Sequence, residues 1–229
     1  MAMGLSITPS LSASTQDLLQ MENQIFGPTV RLGEYCSGSI ISSERDEVTG
    51  KVDTYVLTAK HCTKKIGEES SIQKEFHDKR NHLTKTEVYN TTTWGQYFGA
   101  DLAIVKLSDT DTFFPNVAKI APKGYEESVQ FGQDVWVVGH PFGKSMTLTE
   151  GVLGFVESDP GFGIGSKFYR ATPDIAPGSS GGALYTKDGD GDFVLIGIVT
   201  GGAGGFTFFN YFTTLEDINN YLETARKAF

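Results

Sequence analysis

Three short segments of the sequence carry side chains that could together perform acyl transfer. They are YVLTAKHC, which ends at Cys62, GADLAIVKL around Asp101, and PDIAPGSSGGAL around Ser180. Acyl transfer needs a hydroxyl nucleophile, an imidazole that removes its proton, and a carboxylate that orients the imidazole and stabilises its protonated form. Ser180, His61 and Asp101 supply these three groups. The sequence therefore predicts a catalytic triad.

The glycines around Ser180 have a chemical reason of their own. A nucleophile on a tight turn must present its hydroxyl while two backbone N–H groups point at one spot, and glycine permits the unusual dihedral angles that this requires. The N–H groups of Gly178 and Ser180 are the candidate oxyanion hole. A serine in a Gly-rich loop is by itself usually an ordinary turn. The prediction therefore depends on three segments occurring together in the order His, Asp, Ser.

The three segments resemble the histidine, aspartate and serine motifs of the chymotrypsin-like (trypsin-fold) serine peptidases. Within that superfamily the sequence is more similar to the HtrA/DegP-like group, through GHPFGKSMTLTEGVLGFV (139–156) and APGSSGGAL (176–184). The resemblance implies a serine endopeptidase that cleaves proteins or peptides through an acyl-enzyme, and we expect no PDZ domain in this chain. It also implies two six-stranded antiparallel β-barrels with the active site between them. His61 and Asp101 would come from the first barrel and Ser180 from the second.

Two other functions fit the same residues. One is a peptide-binding module that keeps the fold without turnover, and the other is an esterase that uses the same acyl-enzyme chemistry. The sequence also departs from the zymogen-activated members of the family, in which an aspartate before the nucleophile pairs with a newly cut N-terminal amine. Ser179 occupies that position here. Activation by N-terminal cleavage is therefore not expected.

The primary specificity pocket is predicted from position. Asp174 lies six residues before Ser180, where trypsin-like enzymes have the floor of the pocket, and Thr200, Gly201 and Gly202 match the segment that lines its wall. A carboxylate there would favour Arg or Lys at the cleaved bond. The alternative is the preference of HtrA-like relatives for a small apolar side chain, with Asp174 as a structural or surface carboxylate.

The two cysteines match the family's disulfide behind the histidine loop. Cys36 opens the CSGSII segment and Cys62 follows His61 directly. A disulfide would place the protein in an oxidising compartment, and a secreted or periplasmic location is predicted on that ground. The alternative is a pair of buried thiols in a cytosolic protein, since the N-terminal MAMGLSITPSLSAS does not have the pattern of a secretory signal.

The elements that position these residues are predicted to be mostly strands. The 229 residues include 27 Gly, 16 Phe and 9 Tyr, which suits short strands and tight turns, because each glycine costs a helix about 1 kcal/mol. Strand-like runs form two sets of five or six, which predicts an all-β fold of two closed barrels. The polar stretch Lys64–Lys85 is predicted to be a long exposed loop. The predicted order is an N-terminal extension with a short helix (1–27), a first barrel (28–115), an interdomain crossing (116–130), a second barrel (131–213) and a C-terminal helix (214–229).

Several classes of partner are not expected. The net charge of −9 makes nucleic acid an unfavourable partner, and no apolar run approaches the roughly 20 residues that cross a bilayer. No metal or cofactor is predicted: Asp188–Asp192 resembles a calcium loop but lacks its closing Glu, so a hairpin turn is favoured. The GGAGG stretch (201–205) lacks the helix of a nucleotide site, and His77, His82 and His140 are interpreted as structural or solvated. The sequence leaves the oligomeric state open.

Overall fold

The computed structural model describes residues 15–78, 82–158, 167–202 and 209–226. Its first element is a short α-helix, α1 (Thr15–Met21), which continues as one π-helical stretch, Glu22–Phe26. Ile25 is fully buried at the end of this segment. The segment also contacts the second half of the chain, because the Gln24 carboxamide oxygen accepts a hydrogen bond of 2.9 Å from Phe193 N.

Six antiparallel strands of the first half of the chain close into a barrel. Their order around the barrel is β1-β2-β3-β6-β5-β4. The first residues of β3 alternate buried with less buried positions, which is the period that a half-buried strand requires. Their bounds are β1 (Thr29–Leu32), β2 (Cys36–Arg45), β3 (Val52–Thr58), β4 (Glu69–His77), β5 (Leu83–Tyr97) and β6 (Leu102–Thr110).

The prediction of a long exposed loop over Lys64–Lys85 is wrong. Most of that stretch forms β4 and the start of β5, which pair from Glu69 with Thr92 to His77 with Leu83. Ile72, Lys74 and Glu75 are buried in β4. Because charged side chains occupy interior positions of this strand, it lacks the alternation of apolar and polar residues by which a strand is recognised.

The second half of the chain closes into another six-stranded antiparallel barrel, in the order β10-β11-β12-β9-β8-β7. A C-terminal helix, α2 (Leu215–Arg226), follows it, and Thr214 caps this helix by accepting a hydrogen bond of 3.3 Å from Asp217 N. The all-β prediction of two barrels with a C-terminal helix is confirmed. The strands are β7 (Asp134–Gly139), β8 (Thr147–Ser158), β9 (Lys167–Ala171), β10 (Ala183–Lys187), β11 (Phe193–Gly202) and β12 (Asn210–Thr213).

An apolar cluster joins the two barrels. It combines Leu57 and Ile104 of the first barrel with Val138, Ala183 and Ile198 of the second, all at most 3% exposed. Burial of apolar area contributes about 25 cal/mol per Å², so this shared cluster holds the barrels in a fixed relation. The ends of β3, β6 and β10 meet beside it, and the loops at those ends carry the candidate functional residues.

Candidate active site

His61 and Asp101 are brought together by strand pairing in the first barrel. His61 lies in the single 3₁₀ turn Lys60–Cys62 that follows β3, and Asp101 directly precedes β6. These two strands are antiparallel neighbours, and their pairing ends with Thr58 opposite Ala103. Residues just beyond that pair must therefore lie side by side.

The imidazole and the carboxylate form a close pair. His61 Nδ1 lies 2.7 Å from Asp101 Oδ2, and His61 N donates to Asp101 Oδ1 at 3.0 Å. The Asp101 carboxylate is buried, whereas 47% of the His61 side chain is exposed. A carboxylate only accepts hydrogen bonds when ionised, so it selects the tautomer with the proton on Nδ1. This leaves Nε2 of His61 as an acceptor on the open side of the ring.

Ser180 lies in the loop between β9 and β10, against the start of β2 and the turn that carries His61. Its carbonyl accepts a hydrogen bond of 2.7 Å from Ser37 N and lies 3.6 Å from Cys62 Sγ. Among the described residues, Ser180 Oγ makes no hydrogen bond, to His61 or to any other group. Catalytic hydrogen bonds are often long in structures without substrate and shorten when it binds.

Four consecutive carbonyl groups of the loop that carries Ser180 each accept a hydrogen bond, which fixes the orientation of their peptide planes. The four pairs are Pro177 O with Phe142 N (2.5 Å), Gly178 O with Ser37 Oγ (2.8 Å), Ser179 O with Gly182 N (2.9 Å) and Ser180 O with Ser37 N (2.7 Å). In a trans peptide the N–H points opposite to the C=O of the same plane. The Gly178 N–H therefore points away from Phe142, and the Ser180 N–H points away from Gly182.

Most of the N–H groups of this loop also donate hydrogen bonds within the protein. Ser179 N donates to Ala176 O and Gly181 N to Val199 O, each at 2.9 Å. Within the described part of the chain, the N–H groups of Gly178 and Ser180 donate to no protein acceptor. These are the two groups that the sequence predicted for an oxyanion hole.

Glycine is required at position 178 by both conformation and space. Gly178 has φ of +101°, where a side chain is strained, and a Cβ there would lie 2.5 Å from His140 O and 2.7 Å from Phe142 N. Phe142 is itself a non-glycine residue with positive φ, +56°, a conformation that costs roughly 1–2 kcal/mol. Its N–H is the donor to Pro177 O, so this strained turn supports the peptide plane that carries Gly178 N–H.

Ser179, the residue before Ser180, forms a local turn. Its hydroxyl accepts a hydrogen bond of 3.2 Å from Ala176 N, and its own N–H donates back to Ala176 O at 2.9 Å. This pair of contacts stabilises the loop without an ion pair.

A disulfide links the strand β2 to the turn that carries His61. Cys36 and Cys62 are bonded, with their Cα atoms 6.0 Å apart. The disulfide prediction is confirmed, and the alternative of two free thiols is wrong. His61 lies within 4.8 Å of both sulfur atoms, but sulfurs bonded to each other offer no thiolate to a metal.

The predicted pocket residues differ in exposure and in their neighbours. Asp174 is exposed, its carbonyl accepts a hydrogen bond of 2.8 Å from Thr149, and it lines a cavity of about 170 Å³ together with β7 and β8 residues. Thr200 is buried, and Gly202 lies beside Asn210 and beside Ile175, which lines the same cavity as Asp174: a Cβ at Gly202 would lie 3.0 Å from Asn210 Oδ1 and 3.6 Å from Ile175 Cδ1.

Asn210 is a residue of this region that the sequence reasoning missed. It is 2% exposed, and its Nδ2 donates to Pro173 O at 2.7 Å. The side chain thus bridges from β12 to the segment that carries Asp174. A single amide among the aromatic residues of FTFFNYF, of which 203–208 lie outside the described residues, was the signal available in the sequence.

A group of buried charged and polar residues lies behind the turn Pro141–Gly143. Burial, followed by the positive charges of Arg31, Lys74 and His77, lowers the pKa of His140 to about 3, so the ring is neutral. Glu75 approaches it, with its Oε1 3.8 Å from His140 Nε2. Arg31 donates to Gly143 O at 2.6 Å. His140 is 1% exposed and is a structural histidine, as the sequence suggested.

The Asp188–Asp192 segment is a hairpin turn between β10 and β11. Lys119 Nζ contacts Asp188 Oδ2 at 2.9 Å and Asp192 Oδ2 at 3.2 Å. Asp188 Oδ1 also accepts from the N–H groups of Asp190 and Asp192. With a lysine and backbone donors on these carboxylates, the segment does not fit a calcium ion. No helix in the described part of the chain has the length and apolar character needed to cross a membrane.

Comparisons with known proteins agree with this architecture. The model of the Trypsin family matches residues 19–222. A Serine protease HtrA-like protein of Staphylococcus aureus (strain USA300) is 25% identical over 155 residues, which cover 63% of this chain and 18% of that protein. A protein of the same description from strain COL matches equally. The chain thus spans less than a fifth of the length of these relatives.

Two solved structures share the fold. The crystal structure of Rv3671c protease, inactive form, has a TM-score of 0.64 at 18% sequence identity and covers 91% of this chain and 93% of that one. A serine-to-alanine mutant of Rv3671c from M. tuberculosis H37Rv, also an inactive form, has a TM-score of 0.63 at 16% identity, with coverage of 95% and 96%. At these identities the likeness concerns the fold alone.

Proposed function

The chain belongs to the trypsin family of serine proteases, and we propose that it is a serine endopeptidase with His61, Asp101 and Ser180 as its catalytic triad. In this mechanism, Nε2 of His61 accepts the proton of Ser180 Oγ while the oxygen attacks the carbonyl carbon of the cleaved bond. Asp101 keeps the ring in the required tautomer and stabilises the imidazolium. The negative oxygen of the tetrahedral intermediate lies against the N–H groups of Gly178 and Ser180.

The second half of the reaction reverses these roles. The imidazolium gives its proton to the leaving amine, the C–N bond breaks, and the acyl group stays on Ser180 Oγ. A water molecule then gives a proton to His61 and attacks the acyl carbon, and the returning proton releases Ser180 and the carboxylic acid product. Each proton that leaves an oxygen is taken up by the same imidazole, so the cycle needs no cofactor.

The two uncommitted N–H groups of Gly178 and Ser180 support catalysis most directly. Both N–H groups lie in the loop that carries Ser180, where they are available to donate to the negative oxygen that forms when Ser180 attacks a carbonyl. Buried or partly buried donors without a protein partner are costly unless they serve a ligand or a reacting group. Removing one such donor from another serine peptidase lowers kcat by about 10²- to 10³-fold.

A fluorophosphonate probe tests the triad. We expect the wild-type protein to be labelled and to cleave casein, and Ser180→Ala to lose both. His61→Ala should lower the cleavage rate by about 10⁴-fold or more, whereas His82→Ala, which alters a histidine with 70% of its side chain exposed, should react as the wild type does. A wild-type protein that takes up no probe and cleaves no casein would favour the peptide-binding module. Cleavage of p-nitrophenyl esters without cleavage of casein would favour the esterase.

The preference at the cleaved bond is a second part of the proposal. A basic residue is expected if the Asp174 carboxylate meets the substrate, and a small apolar residue if it does not. The exposure of Asp174 and the position of the uncharged Asn210 beside Gly202 support the small side chain. Chromogenic peptides ending in Arg, Lys, Val or Ala separate the two: a preference for Arg and Lys that Asp174→Ala abolishes would establish the basic pocket instead.

The compartment is also proposed. The Cys36–Cys62 disulfide supports a working location where disulfides persist, such as the periplasm or the extracellular space.

A further inference from the structure

One residue of the first barrel, Ser37, contacts the loop of Ser180 at three points. It is the second residue of β2 and has no exposed surface. Its N–H donates to Ser180 O at 2.7 Å and its Oγ donates to Gly178 O at 2.8 Å. Its carbonyl faces the same loop, because a Cβ at Gly181 would collide with Ser37 O. Ser37 therefore lies against the backbone on both sides of Ser179.

The Ser37 hydroxyl also reaches the turn that follows β7. Its Oγ accepts a hydrogen bond of 2.8 Å from His140 N. A hydroxyl has one proton to donate and lone pairs to accept with, so the contacts with Gly178 O and His140 N are compatible at the same time. Space around the hydroxyl is tight, since a Cβ at Gly139 would lie 2.9 Å from it.

The orientation of Gly178 N–H depends on both of these contacts. Glycine allows the peptide planes beside it to rotate at little cost, so the planes flanking Gly178 need partners to hold them. On one side, Pro177 O is held by Phe142 N, which belongs to the turn that starts at His140. On the other side, Gly178 O is held by Ser37 itself. The Ser37 hydroxyl therefore supports the turn that holds the Pro177–Gly178 plane, and it directly holds the Gly178–Ser179 plane.

We propose that Ser37 is a positioning residue for the oxyanion hole, acting through its hydroxyl on Gly178 and through its N–H on Ser180. The inference rests on the proposed peptidase function. Without the hydroxyl, Gly178 O and His140 N lose their partner, and a buried polar group without a partner costs about 1–3 kcal/mol. Loss of the contact with His140 N would loosen the turn whose Phe142 N holds Pro177 O, and that carbonyl lies in the same peptide plane as the Gly178 N–H.

The test compares two serines on the same face of the same strand. Ser37→Ala removes the bracing hydroxyl, and Ser39→Ala removes an equally buried hydroxyl two residues further along β2. We measure the rate of fluorophosphonate labelling, and kcat and KM for a fluorogenic peptide taken from the casein sites that the wild type cleaves. Ser37→Ala is expected to lower the labelling rate and kcat by about 10- to 100-fold, with KM changed less than twofold. This loss is no larger than the loss of kcat that follows removal of a direct oxyanion-hole donor. Ser39→Ala is expected to stay within twofold of the wild type in all three.

Several results overturn the inference. One is a labelling rate of Ser37→Ala within twofold of the wild type. Another is an equal loss in Ser39→Ala, which would mean that any loosening of β2 has this effect. A rise in KM with kcat unchanged would place Ser37 in substrate binding rather than in positioning the oxyanion hole. If the wild type itself is not labelled, the proposed function fails, and this result is distinct from the others.

A measurement on the wild-type protein covers the case in which Ser37→Ala does not fold. Amide hydrogen exchange reports whether His140 N–H is held by Ser37, because a hydrogen-bonded buried amide exchanges slowly. We expect strong protection of this amide both in the free protein and after phosphonylation of Ser180. Exchange of His140 N–H at the rate of an exposed loop would show that the brace does not exist and would overturn the inference.

Discussion

Removing the Cys36–Cys62 cross-link should destabilise the folded protein by about 3–4 kcal/mol. The two cysteines are separated by 26 positions in the sequence. Opening a covalent loop of about that length returns roughly 12 cal/mol/K of conformational entropy to the unfolded chain in the loop-closure model, or about 3.5 kcal/mol at 25 °C. The folded state keeps its strand pairing in either redox state, so the effect falls mainly on the unfolded state.

The assay is urea unfolding of the same chain in its oxidised and reduced forms. Reduction changes no side-chain volume appreciably, so the difference in unfolding free energy isolates the cross-link. The double variant Cys36→Ala, Cys62→Ala serves as the comparison. It should match the reduced wild type to within about 1 kcal/mol, apart from the loss of two half-buried sulfur atoms.

A small difference would refute this reasoning. If oxidised and reduced protein unfold with free energies within about 1 kcal/mol of each other, the loop-closure entropy does not govern the stability of this region. In that case a compact unfolded state that already holds β2 near the His61 turn would be the simplest explanation.

Three further predictions follow from buried or strained positions. Gly178→Ala should lower casein cleavage by at least about 100-fold, because the added Cβ would lie 2.5 Å from His140 O. Gly191→Ala is the control. Gly191 has φ of +85° and open space around the added Cβ, so this variant has a similar dihedral cost of roughly 1–2 kcal/mol and should keep full activity. Burial lowers the pKa of Lys74 from 10.5 to about 8. Between those pH values the unfolded chain therefore binds a proton that the folded chain does not. Urea unfolding should show that the stability of the wild type rises with pH by up to about 3 kcal/mol over this range, and that the stability of Lys74→Met does not. Burial, assisted by neighbouring positive charges, lowers the pKa of His140 from 6.5 to about 3. The free energy of unfolding should therefore fall by up to about 5 kcal/mol as pH drops from 6.5 to 3. His140→Gln should reduce this dependence of stability on pH. Equal slopes in variant and wild type would contradict either pH prediction.

The triad candidates could be found from the sequence because their signals are local. His61, Asp101 and Ser180 each sit in a short motif at the end of a strand, and the glycines around Ser180 indicate a tight turn. The contact of 2.7 Å between His61 and Asp101 then follows from the pairing of β3 with β6. The disulfide was predicted by resemblance, and the structure confirms it.

The sequence-based prediction missed β4 because buried positions of this strand carry charged residues. In β4 the buried positions include Lys74 and Glu75, and the polar partners of these side chains include residues that are distant in sequence. Lys74 Nζ, for example, donates to Thr29 O at 3.3 Å. A pattern based on apolar alternation reports only the tendency of a residue to leave water, so it could not detect a strand of this kind.

The sequence alone determined the chemistry that is available: which side chains could act as nucleophile, base and orienting acid, and that two sets of strands would carry them. Only the tertiary structure decided which backbone groups of the described residues form hydrogen bonds within the protein and which remain available to a ligand. Ser37 is an ordinary strand residue in the sequence, and it acts on Gly178 across 141 positions of chain. The physical reason is that side-chain chemistry is a property of each residue, whereas the direction of a peptide N–H depends on partners that folding alone brings together.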